Sequence, residues 1–86
     1  MAMRITRHTL ARAEERGTNE AEISDVLASG FSIPAKYHKM GKAKVYQFAQ
    51  ERHGKRYAQK RVEVFYVQEA DDLIVVTAYV FYGKWE

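Results

Sequence analysis

Residues Leu73 to Tyr82 read LIVVTAYVFY, a ten-residue run in which Thr77 is the one clearly polar member. A run of this length and composition is the pattern of a β-strand covered on both faces. It is far too short to cross a bilayer, and Met1-Ala2-Met3-Arg4 carries no apolar run of signal-peptide length, so a cytoplasmic location is expected. No membrane partner is expected either.

Working outward, Glu69-Ala70-Asp71-Asp72 reads as a turn, and Arg61 to Gln68 (RVEVFYVQ) as the strand before it. Pairing Val67 with Leu73 sets Val62 opposite Ala78, Val64 opposite Val76 and Tyr66 opposite Ile74, six residues that make one apolar face. The other face then pairs Phe65 with Val75, Glu63 with Thr77 and Arg61 with Tyr79, and a slip of one residue would exchange the two sets. His53-Gly54-Lys55 separates this strand from Val45 to Gln50 (VYQFAQ), and Met40-Gly41-Lys42 reads as a further turn. Pro34 removes a ladder donor, which confines any strand beside it to a sheet edge.

The N-terminal third has a different period. Thr6 can cap a helix running to Arg16, with Gly17 as its left-handed stop. Asn19 starts a second helix, in which Glu22 can reach back to the Asn19 amide, and Ile23, Val26 and Leu27 form an apolar triangle before Gly30. The expected fold is therefore α+β, with two N-terminal helices packed on one face of a four-stranded, mainly antiparallel sheet. Two short helices can cover one face only. The apolar surface of Phe65, Val67, Leu73, Val75 and Phe81 then calls for a second cover, either a small partner protein or another copy of the chain.

At 86 residues the chain fits one domain, 1–86, and 47% hydrophobic residues with no cysteine mean that the core must stand without disulfides or a zinc ribbon. Charge is uneven along it. Residues 31–61 hold nine basic residues and one acidic, whereas residues 62–86 hold one basic and five acidic. Such a block attracts phosphate and points to nucleic acid, although a solvated hairpin would carry the same charges. Tyr37, Tyr46, Phe48 and Tyr57 interleave with its cations, an arrangement suited to stacking on single-stranded bases. Within the block, Lys42, Lys44, Lys55, Arg56 and Lys60 are the candidate RNA contacts, with Lys84 as a further one beyond it.

Two groups of residues carry candidate chemistry. His8, Arg12 and Glu15 share the outer stripe of the first helix, with Leu10 and Ala13 facing inward, and His8 in the first turn is a candidate proton acceptor. Arg61, Glu63, Thr77 and Tyr79 gather on the second face of the sheet. Metal-free RNA cleavage needs a base for the 2′-hydroxyl, an acid for the leaving oxygen and cations around the phosphorane. Glu63 or His8 would serve as base, Tyr79 or His8 as acid, and Arg61 and Arg12 as cations. The plainer alternative is that Arg61 and Glu63 are surface charges and Tyr79 fills the core. His8, His38 and His53 fall at no metal-ligand spacing, so neither a metal nor another cofactor is expected.

Thr6-Arg7-His8 opening a helix, Arg12, Glu15-Arg16-Gly17, Ile23, Val26-Leu27 and the late strands Arg61-Val62-Glu63-Val64 and Ile74 to Tyr79 resemble the uncharacterised domain family DUF4258 over nearly the whole chain. That family looks like a branch of the RelE/ParE-type toxin fold, which groups with barnase-like and colicin-like ribonucleases. The resemblance implies a RelE-like domain, and a toxin that cleaves RNA or blocks translation, acting on RNA that is free or on the ribosome and neutralised by a small antitoxin. It carries family marks onto His8, Arg12, Thr77 and Tyr79. The expectation is a metal-independent endoribonuclease; the alternative is a non-catalytic protein-binding module of the same fold.

Overall fold

The computed structural model describes residues 2–85. Among them the chain forms β1 (Ala2–Arg4), α1 (Arg7–Arg16), α2 (Glu20–Ser29), β2 (Phe31–Ile33), β3 (Met40–Arg52), β4 (Lys55–Glu69) and β5 (Asp72–Gly83). The strands make one sheet in the order β1-β5-β4-β3-β2.

Both helices begin and end where local chemistry dictates. The Thr9 amide donates to Thr6 Oγ1 at 3.1 Å, and Gly17 closes α1 in the left-handed region at φ 111°. A Cβ on Gly17 would collide with the Tyr82 hydroxyl, so glycine is required there twice over. Asn19 Oδ1 accepts from the Glu22 amide at 2.8 Å. The Glu22 carboxylate does not return to Asn19 as the capping-box reading has it. It accepts instead from Thr18 Oγ1, a buried hydroxyl, and from Lys60 Nζ, both at 2.8 Å.

The expected four-stranded, mainly antiparallel sheet is corrected to a five-stranded mixed one. β1 is the missed strand, pairing Ala2, Met3 and Arg4 in parallel with Asp72, Leu73 and Ile74. Three residues are too few to display alternation. Nor do the helices simply lie together on one face. α2 crosses β3 and β4, while α1 follows β5 along the flank that β1 leaves uncovered, and its Arg16 reaches round to the opposite side. Met40-Gly41-Lys42 is the start of β3 rather than a turn. Gly41 is there because a Cβ would lie 2.9 Å from Ile33 Cγ1 and 3.0 Å from Phe65 Cε1. β2, ending just before Pro34, takes the edge next to β3.

The β4–β5 register also differs from expectation. The turn is the two residues Ala70-Asp71, with Ala70 at φ 53°, and Glu69 pairs with Asp72. Beyond it Phe65 pairs with Thr77 but Tyr66 with Val75, leaving Val76 as the extra residue of a β-bulge. The bulge inverts the alternation of β5. Leu73 and Val75 join the core on one side of it, and Ala78 and Val80 on the other, together with Val62, Val64 and Tyr66 and the helix residues Ala13, Ile23, Val26 and Leu27. Leu73 and Val75 therefore do not belong to the open face. That face carries Arg61, Glu63 and Phe65 of β4 beside Thr77, Tyr79 and Phe81 of β5, with Phe31 of β2 at its far edge.

A second bulge lies in β3, where Gln47 pairs with Gln59 but Gln50 with Tyr57 and Ala49 adopts φ 48°. His53 and Gly54, both left-handed, form the two-residue turn of the β3–β4 hairpin, matching the hairpin read from sequence.

Candidate functional site

α1 sets the first part of the site. One residue per 100° of turn places His8, Arg12 and Arg16 on one stripe while Ala13, fully buried and about 100° round from Arg12, holds the helix to the sheet. The stripe runs along the outer edge of β5 beyond Ile74, where β1 no longer pairs with it. The bulge turns Val76 outward at this point. A cavity of about 140 Å³ opens here, bounded by His8, Thr9, Arg12, Arg16, Val76 and Thr77. Arg16 Nη1 donates to the Ala78 carbonyl at 2.9 Å, and its guanidinium lies 4.9 Å from the centroid of the Tyr79 ring. One arginine thus occupies an otherwise unpaired strand edge and covers an aromatic on the far face.

A second cavity, about 330 Å³, shares Thr77 with the first and lies on the open face. Phe65 and Tyr79 form its walls, their rings edge to face at 6.0 Å, and the loop carrying Pro34, Lys36 and Lys39 borders it. Thr77 is therefore a wall common to a cationic cavity and an aromatic one.

The structure gathers some of the expected residues and separates others. His8, Arg12 and Thr77 meet in the first cavity, and Tyr79 lies in the adjoining one. Arg61 and Glu63 line neither. Arg61 Nε donates to Glu63 Oε2 at 2.9 Å with its guanidinium 5.2 Å from the Phe31 ring, and Glu63 is the cross-strand neighbour of Tyr79. A carboxylate paired in this way has its charge already balanced. Arg16 is the residue that sequence reasoning missed, although its i+4 and i+8 spacing from Arg12 and His8 would have found it.

The candidate RNA-contacting lysines divide as well. Lys42 Nζ donates to the Leu27 carbonyl at 2.9 Å, Lys60 Nζ to the Gly17 carbonyl at 2.9 Å, and Lys44 Nζ to Asp25 Oδ2 at 2.7 Å. These three face the helices and satisfy carbonyl and carboxylate groups there. Arg52 and Tyr82 do the same for the carbonyls of Glu15 and Arg16. Lys55 lies 5.7 Å from the Tyr57 ring and Arg56 pairs across from Glu51, both at the hairpin tip, while Lys84 follows β5.

Hydrogen bonds from Lys44 and Tyr46 hold the Asp25 carboxyl well below its ordinary value, at about 2. Burial and the same hydrogen bond push the Tyr46 phenol up, and burial raises Tyr82. All three serve the packing of helices on sheet and stand apart from both cavities. Among the described residues no group of three His, Cys, Asp or Glu is placed to hold a metal ion, and no helix is long and apolar enough to cross a membrane.

Residues 5–80 match the family described as Domain of unknown function (DUF4258). The chain belongs to this family. No curated protein and no solved structure matches it. The matched span of the DUF4258 domain contains every residue that bounds the two cavities, from His8 to Tyr79.

Proposed function

We propose that this DUF4258 domain is an RNA-directed toxin that cleaves single-stranded RNA through the RNA's own 2′-hydroxyl. The observation that carries the reading is the meeting of His8, Arg12, Arg16 and Thr77 around one cavity at the edge of β5, with Tyr79 in the cavity next to it. Its resemblance to RelE/ParE-type toxins supplies the substrate class. In this reading the His8 imidazole takes the 2′-hydroxyl proton as the 2′-oxygen attacks phosphorus. The bond from phosphorus to the 5′-oxygen breaks, and the Tyr79 hydroxyl returns a proton to that oxygen. Arg12 and Arg16 balance the charge of the phosphorane, and the Thr77 hydroxyl donates to a phosphate oxygen. The products are a 2′,3′-cyclic phosphate and a free 5′-hydroxyl.

The test is incubation of end-labelled single-stranded RNA and of ribosome-bound message with purified protein in excess chelator. Cleavage leaving a cyclic phosphate is expected, with His8→Ala slowing it by roughly 10²- to 10⁴-fold, the usual contribution of a positioned proton-transfer group. Intact RNA in both assays, with growth unaffected by expression of the native protein, would remove the reading.

A second reading rests on a different observation. Phe31 and Phe81 are each 48% exposed on the open face, and Tyr79 is 41% exposed beside them, which favours a protein-binding module that uses this face for an antitoxin-like partner or a second copy. Sedimentation of the native protein against Phe31→Ser/Phe81→Ser tests the second copy. A monomer at all concentrations counts against it.

A further inference from the structure

We infer that the 330 Å³ cavity walled by Phe65 and Tyr79 is a subsite for one unstacked nucleobase of a single-stranded RNA, next to the phosphate held by Arg12 and Arg16. This rests on the RNA-directed reading above and adds where, and by what chemistry, the chain holds a base.

Four observations carry it. The cavity is apolar on its Phe65 and Tyr79 sides, where two rings set edge to face leave a slot bordered by Pro34 and Ala35. Its volume falls at the small end of ligand pockets, which run from about 300 to 1,000 Å³, and so suits one planar ring system rather than a folded partner. Lys36 and Lys39 stand at its rim, placing cations where a sugar-phosphate backbone would pass. Thr77 belongs to both cavities, so a base in one has its phosphate directed toward the other.

Three aromatics of the basic middle strands are committed elsewhere. Tyr46 donates to Asp25 at 2.6 Å, and the rings of Phe48 and Tyr57 pack on Tyr82 at 5.1 and 5.5 Å. A base inside a duplex cannot present its face to such a slot, so the substrate must be single-stranded here. Because every base has a π-face, the slot selects for an unpaired base more than for a particular one.

The experiment measures binding of two uncleavable probes to the native protein and to Tyr79→Leu, Tyr79→Phe and Phe65→Leu. One probe is a short 2′-O-methyl oligonucleotide; the other is a 2′-O-methyl ribose-phosphate backbone of equal length without bases. Leucine keeps apolar bulk, so the variants retain the fold, which circular dichroism checks. Tyr79→Leu and Phe65→Leu are each expected to weaken the oligonucleotide by about tenfold, the scale of one lost base–aromatic stack, while leaving the abasic backbone unchanged. Tyr79→Phe is expected to bind both probes as the native protein does. Equal native affinity for both probes, or unaltered oligonucleotide binding by both leucine variants, overturns the subsite and leaves the cleavage reading standing. Failure of the native protein to bind either probe overturns both.

Discussion

Lys60 places its ammonium between the Gly17 carbonyl and the Glu22 carboxylate, with side-chain exposures of only 12% and 22% for the ion pair. Removing it leaves a mostly buried carboxylate facing only the Thr18 hydroxyl and orphans a helix-terminal carbonyl. Lys60→Ala is therefore expected to cost about 3 kcal/mol in a denaturant titration, the scale of a broken buried pair. Lys44→Ala, at a more open pair, should cost clearly less. The partner of Lys44 sets a pH dependence. Asp25 has a folded value of about 2, below its ordinary 3.8, so it contributes stability in full above the ordinary value and loses it as pH falls through about 2. Asp25→Asn should flatten the decline in thermal midpoint between pH 5 and pH 2. Backbone strain offers the opposite sign of change. Ala70 is held at φ 53°, and Ala70→Gly is expected to raise stability by roughly 0.5–1 kcal/mol in the same titration.

Among the elements, β5 is the one whose irregularity matters most. Because Val76 is an extra residue, its deletion would leave Val75 and Ala78 facing the core and Thr77 facing out, now in an unbroken ladder with Tyr66, Phe65 and Val64. The Val76-deleted protein is expected to fold, with native circular dichroism. Straightening the edge against α1 would remove the first cavity, so RNA cleavage should fall to background. The two helices were legible in the sequence because Thr6, Gly17 and Asn19 act on amides and carbonyls only a few residues away. The bulge was not, since Ile74, Val75 and Val76 are apolar alike and nothing in them marks which residue is left unpaired. β1 escaped notice for a related reason: Ala2, Met3 and Arg4 become a strand only through a partner far along the chain.

At the scale of the molecule, the basic middle of the chain is less available than its composition suggests. Lys42, Lys44 and Lys60 are turned to the helices, and which carbonyls they meet is fixed by tertiary packing that composition does not encode. His8 and Arg12 were readable as a helix stripe, but their meeting with Thr77 depends on where β5 is left bare. On the RNA-directed reading proposed above, the salt dependence of oligonucleotide affinity should reflect this. With Arg12, Arg16, Lys36 and Lys39 as the phosphate contacts, the slope of log K against log salt is expected near about −3, where engagement of all nine basic residues of the middle block would give about −6. A titration of oligonucleotide affinity over a tenfold salt range separates the two. The pairing of β1 with β5 also bears on how the chain reaches this state. The first strand has no neighbour until the last one exists, and the carbonyls ending α1 wait for Arg52, Lys60 and Tyr82. Contacts of such long range are slow to close, and a nascent chain on the ribosome lacks most of them. Assembly of the two cavities must therefore follow translation of β5, so that whatever chemistry they carry belongs to finished molecules alone.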